Sequence, residues 1–244
     1  MSVFFHQYFD FDIMRDNFSY VLEGFGQTLQ LSVVSAVIAL LWGLVLALLR
    51  AAPGRRMLPV RVLAIAYIDV MRGIPLLLVV LLISGSLPFL DFLPMWLRTP
   101  EFFGKPDIFW YGVLSIALTY GAYYAEVYRA GLEAVPYGQM EAARSLGMSH
   151  ARAMRHVIVP QAIRKVIPPM LNDFIALMKD TSLIGVIALV EVVKAGREVQ
   201  AETFNSSALM LGAFLFVIVT IPLARLVDYL IARQQMTMRR TAPV

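Results

Sequence analysis

The sequence predicts an all-α integral membrane protein with five transmembrane helices, the N-terminus outside and the C-terminus cytoplasmic. Three observations carry that prediction. Of 244 residues, 59% are hydrophobic and only 16% charged, with a mean hydropathy of +0.70, well away from the averages of soluble domains. Apolar stretches at about 24–50, 63–87, 108–132, 166–190 and 203–231 are each long enough to cross a hydrocarbon core of roughly 30 Å as helix. The segments between them alternate in net charge, which fixes which side each faces.

Residues 1–23 carry Asp10, Asp12, Asp16 and Glu23 against Arg15, a net of minus three. A cleavable signal peptide needs a basic start, so this segment is expected to stay and to lie outside. Residues 24–49 contain no charge and form span one. Arg50, Arg55, Arg56 and Arg61 follow around a Pro53-Gly54 turn signal and mark a cytoplasmic loop. Span two, 63–87, holds Asp69 and Arg72 near its inner end at a pairing distance of i, i+3. The next loop has Asp91, Glu101 and Asp107 against Arg98 and Lys105, and reads as external.

Span three starts at about Ile108 and continues past Glu126 and Arg129. The loop to Lys165 is basic, with Arg144, Arg152, Arg155, Arg164 and Lys165 against Glu133 and Glu141, hence cytoplasmic. Span four, 166–190, is interrupted by Asp173, Lys179 and Asp180. An acidic segment from Glu191 to Glu202 comes next as an external loop, then span five, with a bend expected near Pro222. The tail carries Arg233, Arg239 and Arg240 and is placed inside. The whole chain is one transmembrane domain without internal repeat.

The chain lacks a G-x-x-x-x-G-K-[ST] loop, so it is not expected to hold a nucleotide in that way. It has no cysteine, and His6, His150 and His156 are scattered, so no metal site is expected. No nucleophile or paired-acid set suggests an enzyme. The basic balance follows membrane side, and nucleic acid is not an expected partner.

Residues 136–160, PYGQMEAARSLGMSHARAMRHVIVP, form the longest charged, helix-forming segment between apolar runs. Pro136 suits a helix start, the residues through Leu146 favour helix, and Gly147 suits its end. Met140, Ala143 and Leu146 recur every three residues as a narrow apolar stripe, while Glu141 and Arg144 are spaced to pair. Ser149 is placed to cap a second short helix over 151–157, with Pro160 stopping or bending the chain after it.

Glu141-Ala142-Ala143, Gly147 and Val157-Ile158-Val159-Pro160 together resemble the EAA loop of ABC-importer permeases. Val157 and Val159 replace isoleucine and leucine of that pattern. The resemblance implies a cytoplasmic coupling helix between spans three and four that docks on a separate ATPase subunit through Met140, Glu141, Ala142, Ala143, Leu146, Gly147 and Pro160. It also implies an ATPase subunit dimer holding ATP and Mg, a second permease subunit, the same or homologous, and an extracytoplasmic solute-binding protein, in a bacterial cytoplasmic (inner) membrane.

Residues 172–182, NDFIALMKDTS, put three charged groups in a helix that should cross lipid. Each costs about 2.5–3.5 kcal/mol at a helix centre, so they should face protein or water. Asp173 and Asp180 share one face. Asp180, Thr181 and Ser182 suit an N-cap before the apolar run 183–190, so a broken and restarted helix could offer N–H groups to an anion, with Lys179 adding charge. Equally, Lys179 and Asp180 could pair with each other, with Arg72 or with Glu126. Glu126 and Arg129 could simply pair at i, i+3.

Arg-Gly-x-Pro at Arg72, Ala-Glu-x-x-Arg-Ala-Gly at Ala125 and Lys-Asp-Thr-Ser-Leu at Lys179 look like the polar amino-acid branch of these permeases, the histidine, glutamine, arginine and glutamate type. That likeness implies Arg72, Glu126, Lys179, Asp180, Thr181 and Ser182 near a substrate path for a polar amino acid. The competing reading is an ion-coupled transporter or channel that titrates Asp173, Asp180 and Glu126; the EAA loop weighs against it.

Overall fold

In the computed structural model, which describes residues 2–241, the chain is helical from end to end, and no strand forms among the described residues. Two short helices, Ser2–Tyr8 and Phe11–Asp16, precede α1, Phe18–Ala51. After it come α2 (Leu58–Gly73), α3 (Leu76–Ser86), α4 (Asp107–Glu133), α5 (Tyr137–Ser145), α6 (Val159–Asp180), α7 (Val192–Thr203) and α8 (Ser207–Thr241).

By length and apolarity, α1 and residues Ser207–Arg233 of α8 each suffice to cross a membrane, and the pair Arg55–Gly73 and Leu76–Phe89 qualifies only if taken together. That pair is bent by 107°, so residues 63–87 are not one straight helix as the hydropathy suggests. Pro75 causes the break. It lacks an N–H and disfavours helical backbone at the residue before it, and Ile74 is extended at ψ 131. α2 therefore ends at Gly73 and α3 starts after Pro75.

The core is built on α1 against α4. Leu31, Ala36 and Ala39 of α1 pack with Phe109, Val113, Ile116, Tyr120 and Tyr124 of α4, joined by Leu76 and Val80 of α3 and Leu177 of α6. Small residues let the two backbones approach: a Cβ at Gly43 would lie 2.7 Å from the Gly121 carbonyl oxygen and 2.8 Å from Tyr124 Cβ. Trp42 fills the space that Gly121 leaves, and its Nε1 donates to the Tyr67 hydroxyl at 3.0 Å.

Two elements differ from the sequence reading. α6 does not restart after Asp180; it tightens into a 3₁₀ stretch, Thr181–Ile187, which ends at Ala188 in the left-handed region (φ 72). The chain restarts as α7, where an external loop is expected from its charges. Glu191, wholly buried, caps α7 by accepting from Val193 N (2.8 Å) and Lys194 N (2.7 Å), and Val192 N donates to Thr28 Oγ1 of α1 at 3.2 Å. Burial pushes the Glu191 carboxyl above the usual carboxylate range, against these two N–H bonds. Val192, Ala195, Gly196 and Val199 then form the buried stripe of an amphipathic helix.

Candidate functional site

The elements converge on a cavity of about 490 Å³ lined by Arg72, Gly73, Ile74, Pro75, Leu76, Thr119, Tyr120, Tyr123, Asp173, Ala176 and Asp180. Each wall has a local cause. The break at Pro75 brings the C-terminal end of α2 and the N-terminal end of α3 to the cavity, and the latter's first N–H groups lack intrahelical partners. The seven-residue spacing of Asp173 and Asp180 on α6 puts both carboxylates on it. α4 contributes Thr119, Tyr120 and Tyr123 on successive turns.

The Tyr120 hydroxyl donates to Asp180 Oδ2 at 2.8 Å, which orients that carboxylate. The Arg72 guanidinium lies 5.6 Å from the Tyr123 ring centroid, a cation–π contact in place of the expected pair with Asp69. Thr119, only 3% exposed, has a hydroxyl without a hydrogen-bond partner. A buried hydroxyl left unpaired costs free energy, and this oxygen is itself covered, so Thr119 weakens the packing of the wall and offers no open donor to the cavity. One cation and two carboxylates therefore surround an open space.

Of the residues singled out for a substrate path, Arg72 and Asp180 line this cavity, and Lys179, Thr181, Ser182 and Glu126 do not. Lys179 is exposed, and among the described residues no ion pair joins it to Asp180 or Glu126, nor Asp180 to Arg72. Thr181 is fully buried with its hydroxyl donating back to Met178 C=O at 2.7 Å, and Ser182 is half-buried in the 3₁₀ stretch. Glu126 sits in an ion chain: it accepts from Arg50 at the end of α1 and from Arg129 Nε at 2.8 Å, and Arg129 also pairs with Glu133. Thr119, Tyr120 and Asp173 complete the cavity. No sequence signal separates Thr119 from Ser115, the other small hydroxyl residue of the same helix.

The second feature is the loop helix. α5 starts after Pro136 and ends as its residues require: Gly147 N donates to Arg144 C=O (3.0 Å) and Met148 N to Ala143 C=O (3.2 Å), a Schellman arrangement made possible by Gly147 at φ 82. Ser149 caps the next short helix, His150–Ala153, by accepting from Arg152 N. Pro160 does not stop the chain as expected. A π-helical turn, Met154–Ile158, precedes it, so the proline falls in the first turn of α6, where its missing N–H is not needed.

The apolar stripe of α5 is divided. Ala143 is buried and Met140 packs against Val135, Ile158 and Ala162 of the chain itself, which fastens the loop helix to the starts and ends of α4 and α6. Leu146, 81% exposed, and Tyr137 face outward, as do Glu141 and Ala142. No ion pair forms between Glu141 and Arg144 among the described residues.

Residues 39–236, which contain both the cavity and the loop helix, match the family described as "Binding-protein-dependent transport system inner membrane component". The chain belongs to that family. It is therefore a transport component of the inner membrane and not an enzyme; ATP is hydrolysed by a separate ATPase subunit, and a second permease subunit completes the assembly. Among its relatives, the arginine transport system permease protein ArtQ of Bacillus subtilis is 33% identical over 87% of this chain and 91% of its own length. The glutamate/aspartate import permease protein GltK of Escherichia coli O157:H7 is 32% identical over 91% of this chain and 96% of its own. The solved structure of an amino acid ABC transporter with histidines is similar at 33% identity and a TM-score of 0.77, covering 90% of this chain and 96% of that one.

Proposed function

We propose that this permease subunit carries a polar amino acid across the cytoplasmic membrane through the Arg72–Asp180 cavity, driven by ATP and Mg bound on the partner ATPase dimer. The observation that carries this reading is the composition of the cavity, which offers one guanidinium and two carboxylates within one space. An amino acid is a zwitterion. Its carboxylate suits Arg72 and the N–H groups at the start of α3; its ammonium suits Asp173 and Asp180. The relatives named for arginine and for glutamate/aspartate support the substrate class.

The topology proposed with it has five crossings, the N-terminus outside and the C-terminus cytoplasmic, with α5 as a cytoplasmic coupling helix. The positive-inside distribution supports it, because the Arg50–Arg61 loop and the loop helix then share one side. α5 leaves Tyr137, Glu141, Ala142 and Leu146 free for the ATPase, while Met140 and Ala143 transmit its displacement to α4 and α6. Asp180 lies at the far end of α6, so motion of the loop reaches the cavity along one helix. Affinity differs between the outward and inward states only if these contacts do. An extracytoplasmic solute-binding protein would deliver the amino acid to the opposite side.

ATP hydrolysis by the assembled complex, measured across a panel of amino acids in vesicles, tests this reading. Stimulation by a subset of polar amino acids, abolished by Arg72→Met with assembly retained, is expected. Hydrolysis indifferent to every amino acid, or stimulation that survives Arg72→Met unchanged, would overturn it.

A further inference from the structure

Residues 3–16 turn a group of aromatic side chains away from the bundle. Ser2–Tyr8 and Phe11–Asp16 are fastened to the start of α8 by long-range hydrogen bonds: Ser206 N donates to Gln7 C=O (2.9 Å), Asn205 Nδ2 to His6 C=O (2.8 Å), Gln7 Nε2 to Phe204 C=O (2.9 Å) and Asp10 N to Ser207 Oγ (2.8 Å). Asp10, largely covered, also caps the second helix through Asp12 N and Ile13 N and meets His6 at 3.2 Å. Gln7, Asp10 and the backbone carbonyls of His6 and Gln7 thus face the bundle, while the His6, Asp12, Arg15 and Asp16 side chains stay exposed. Ile13 and Met14 pack inward, but the other large apolar side chains turn away from the bundle: Val3, Phe4, Phe5, Tyr8 and Phe11 are exposed, Phe4 at 57% and Phe11 at 80%.

In water such an arrangement would expose the side chains that most favour burial. The patch is also continuous with a surface already suited to hydrocarbon. Phe9 stacks 6.4 Å from Phe214, the first of the exposed apolar residues Phe214, Val217, Ile218 and Ile221 along α8. Asp12, Arg15 and Asp16 are exposed beside it. The segment lies at the end of the bundle remote from the loop helix, since α1, 34 residues and about 51 Å long, separates the two.

We propose that residues 3–16 form an interfacial anchor at that end, with Phe4, Phe5 and Phe11 immersed at the headgroup–acyl boundary and Asp12, Arg15 and Asp16 in water. The occupant of the patch is phospholipid. The run of the patch into the outward apolar face of α8, a helix long and apolar enough to cross a membrane and little buried by the chain itself, argues for lipid over a second copy. Aromatic side chains at the height where two crossing helices begin suit the interface in composition as well as in place. The four hydrogen bonds then hold α8 and the α7–α8 corner at a set depth.

The absence of native cysteine allows a direct test. Single cysteines at Phe4, Phe11, Asp12 and Asp16 are spin-labelled in the complex, assembled with cysteine-free partner subunits in phosphatidylethanolamine–phosphatidylglycerol vesicles. Collision with oxygen is compared with collision with a water-soluble nickel chelate. The oxygen-to-nickel ratio is expected to be severalfold higher at Phe4 and Phe11 than at Asp12 and Asp16. Equal ratios at all four sites would place the aromatic face in water and overturn the proposal. Labels at Phe4 and Phe11 shielded from both reagents would place it against protein, a second copy included, and overturn it equally.

Discussion

Tyr120 and Asp180, sixty residues apart, are joined by a hydrogen bond of 2.8 Å from the tyrosine hydroxyl to Oδ2. The bond ties the middle of α4 to the last residue of α6, so one carboxylate of the cavity has its orientation set by the helix that leads into the loop. A hydrogen bond to a charged group contributes about 1.5–3 kcal/mol. That is enough to decide whether Asp180 is presented to a ligand or turns away.

Removing that donor with Tyr120→Phe should raise the half-saturating amino-acid concentration of ATP-driven uptake about tenfold, the equivalent of about 1.4 kcal/mol. Thr119→Val, which keeps volume and deletes a covered, unpaired hydroxyl, should leave half-saturation unchanged. Lys179→Met serves as the contrast: the side chain lies outside the cavity, so uptake should keep its half-saturation. Unequal effects in the reverse order would remove the substrate from this cavity.

Glu126 is expected to matter for stability and not for substrate. Glu126→Gln leaves the half-buried Arg50 with a weaker partner and should lower the melting temperature of the purified complex, at a cost of about 1–3 kcal/mol. Half-saturation of uptake should stay at its wild-type value. A change in substrate affinity with no change in melting would return Glu126 to the path.

Gly147 has open space where a Cβ would go, so only its backbone conformation, φ 82, resists substitution. Gly147→Ala should loosen the end of α5 by about 1 kcal/mol, whereas Gly147→Asn, better tolerated in the left-handed region, should cost less. Amino-acid-stimulated ATP hydrolysis should fall in the order glycine, asparagine, alanine. Equal activity of all three would mean that the Schellman end of α5 has no part in coupling.

Two glycines of α1 should separate packing from helix propensity. Gly43→Ala drives a Cβ into the backbone of α4 and should reduce the folded yield in detergent sharply. At Gly26 nothing lies within 4 Å of the added carbon, and Gly26→Ala should hold or slightly raise stability. Fluorescence-detected size exclusion of the two variants is the readout.

The sequence exposed the loop helix almost completely, because Pro136, Gly147 and Ser149 act locally: a missing N–H, a left-handed φ and a capping hydroxyl need no knowledge of the fold. Where it failed, the deciding partner came from elsewhere in the chain. Pro160 looked like a stop because the π turn that moves it into a first helical turn has no residue signature. α7 looked like a loop because its acids outweighed a readable pattern, Glu191 as cap and Val192, Ala195, Gly196 and Val199 as stripe; the burial of Glu191 depends on Thr28 of α1. Lys179 drew attention as a positive charge beside an expected helix restart, yet α6 does not restart there, and Tyr120, which orients Asp180, gains that part only from a cavity that four helices build.

The central claim is that a partner's ATP hydrolysis moves an amino acid through this chain. Uptake of labelled amino acid into vesicles holding the complete complex and its binding protein, with ATP and a proton gradient supplied separately, tests it most directly. ATP alone should drive accumulation, and Leu146→Asp on the outward face of α5 should abolish it while the cavity still binds the amino acid. Accumulation that follows the proton gradient and ignores ATP would contradict it.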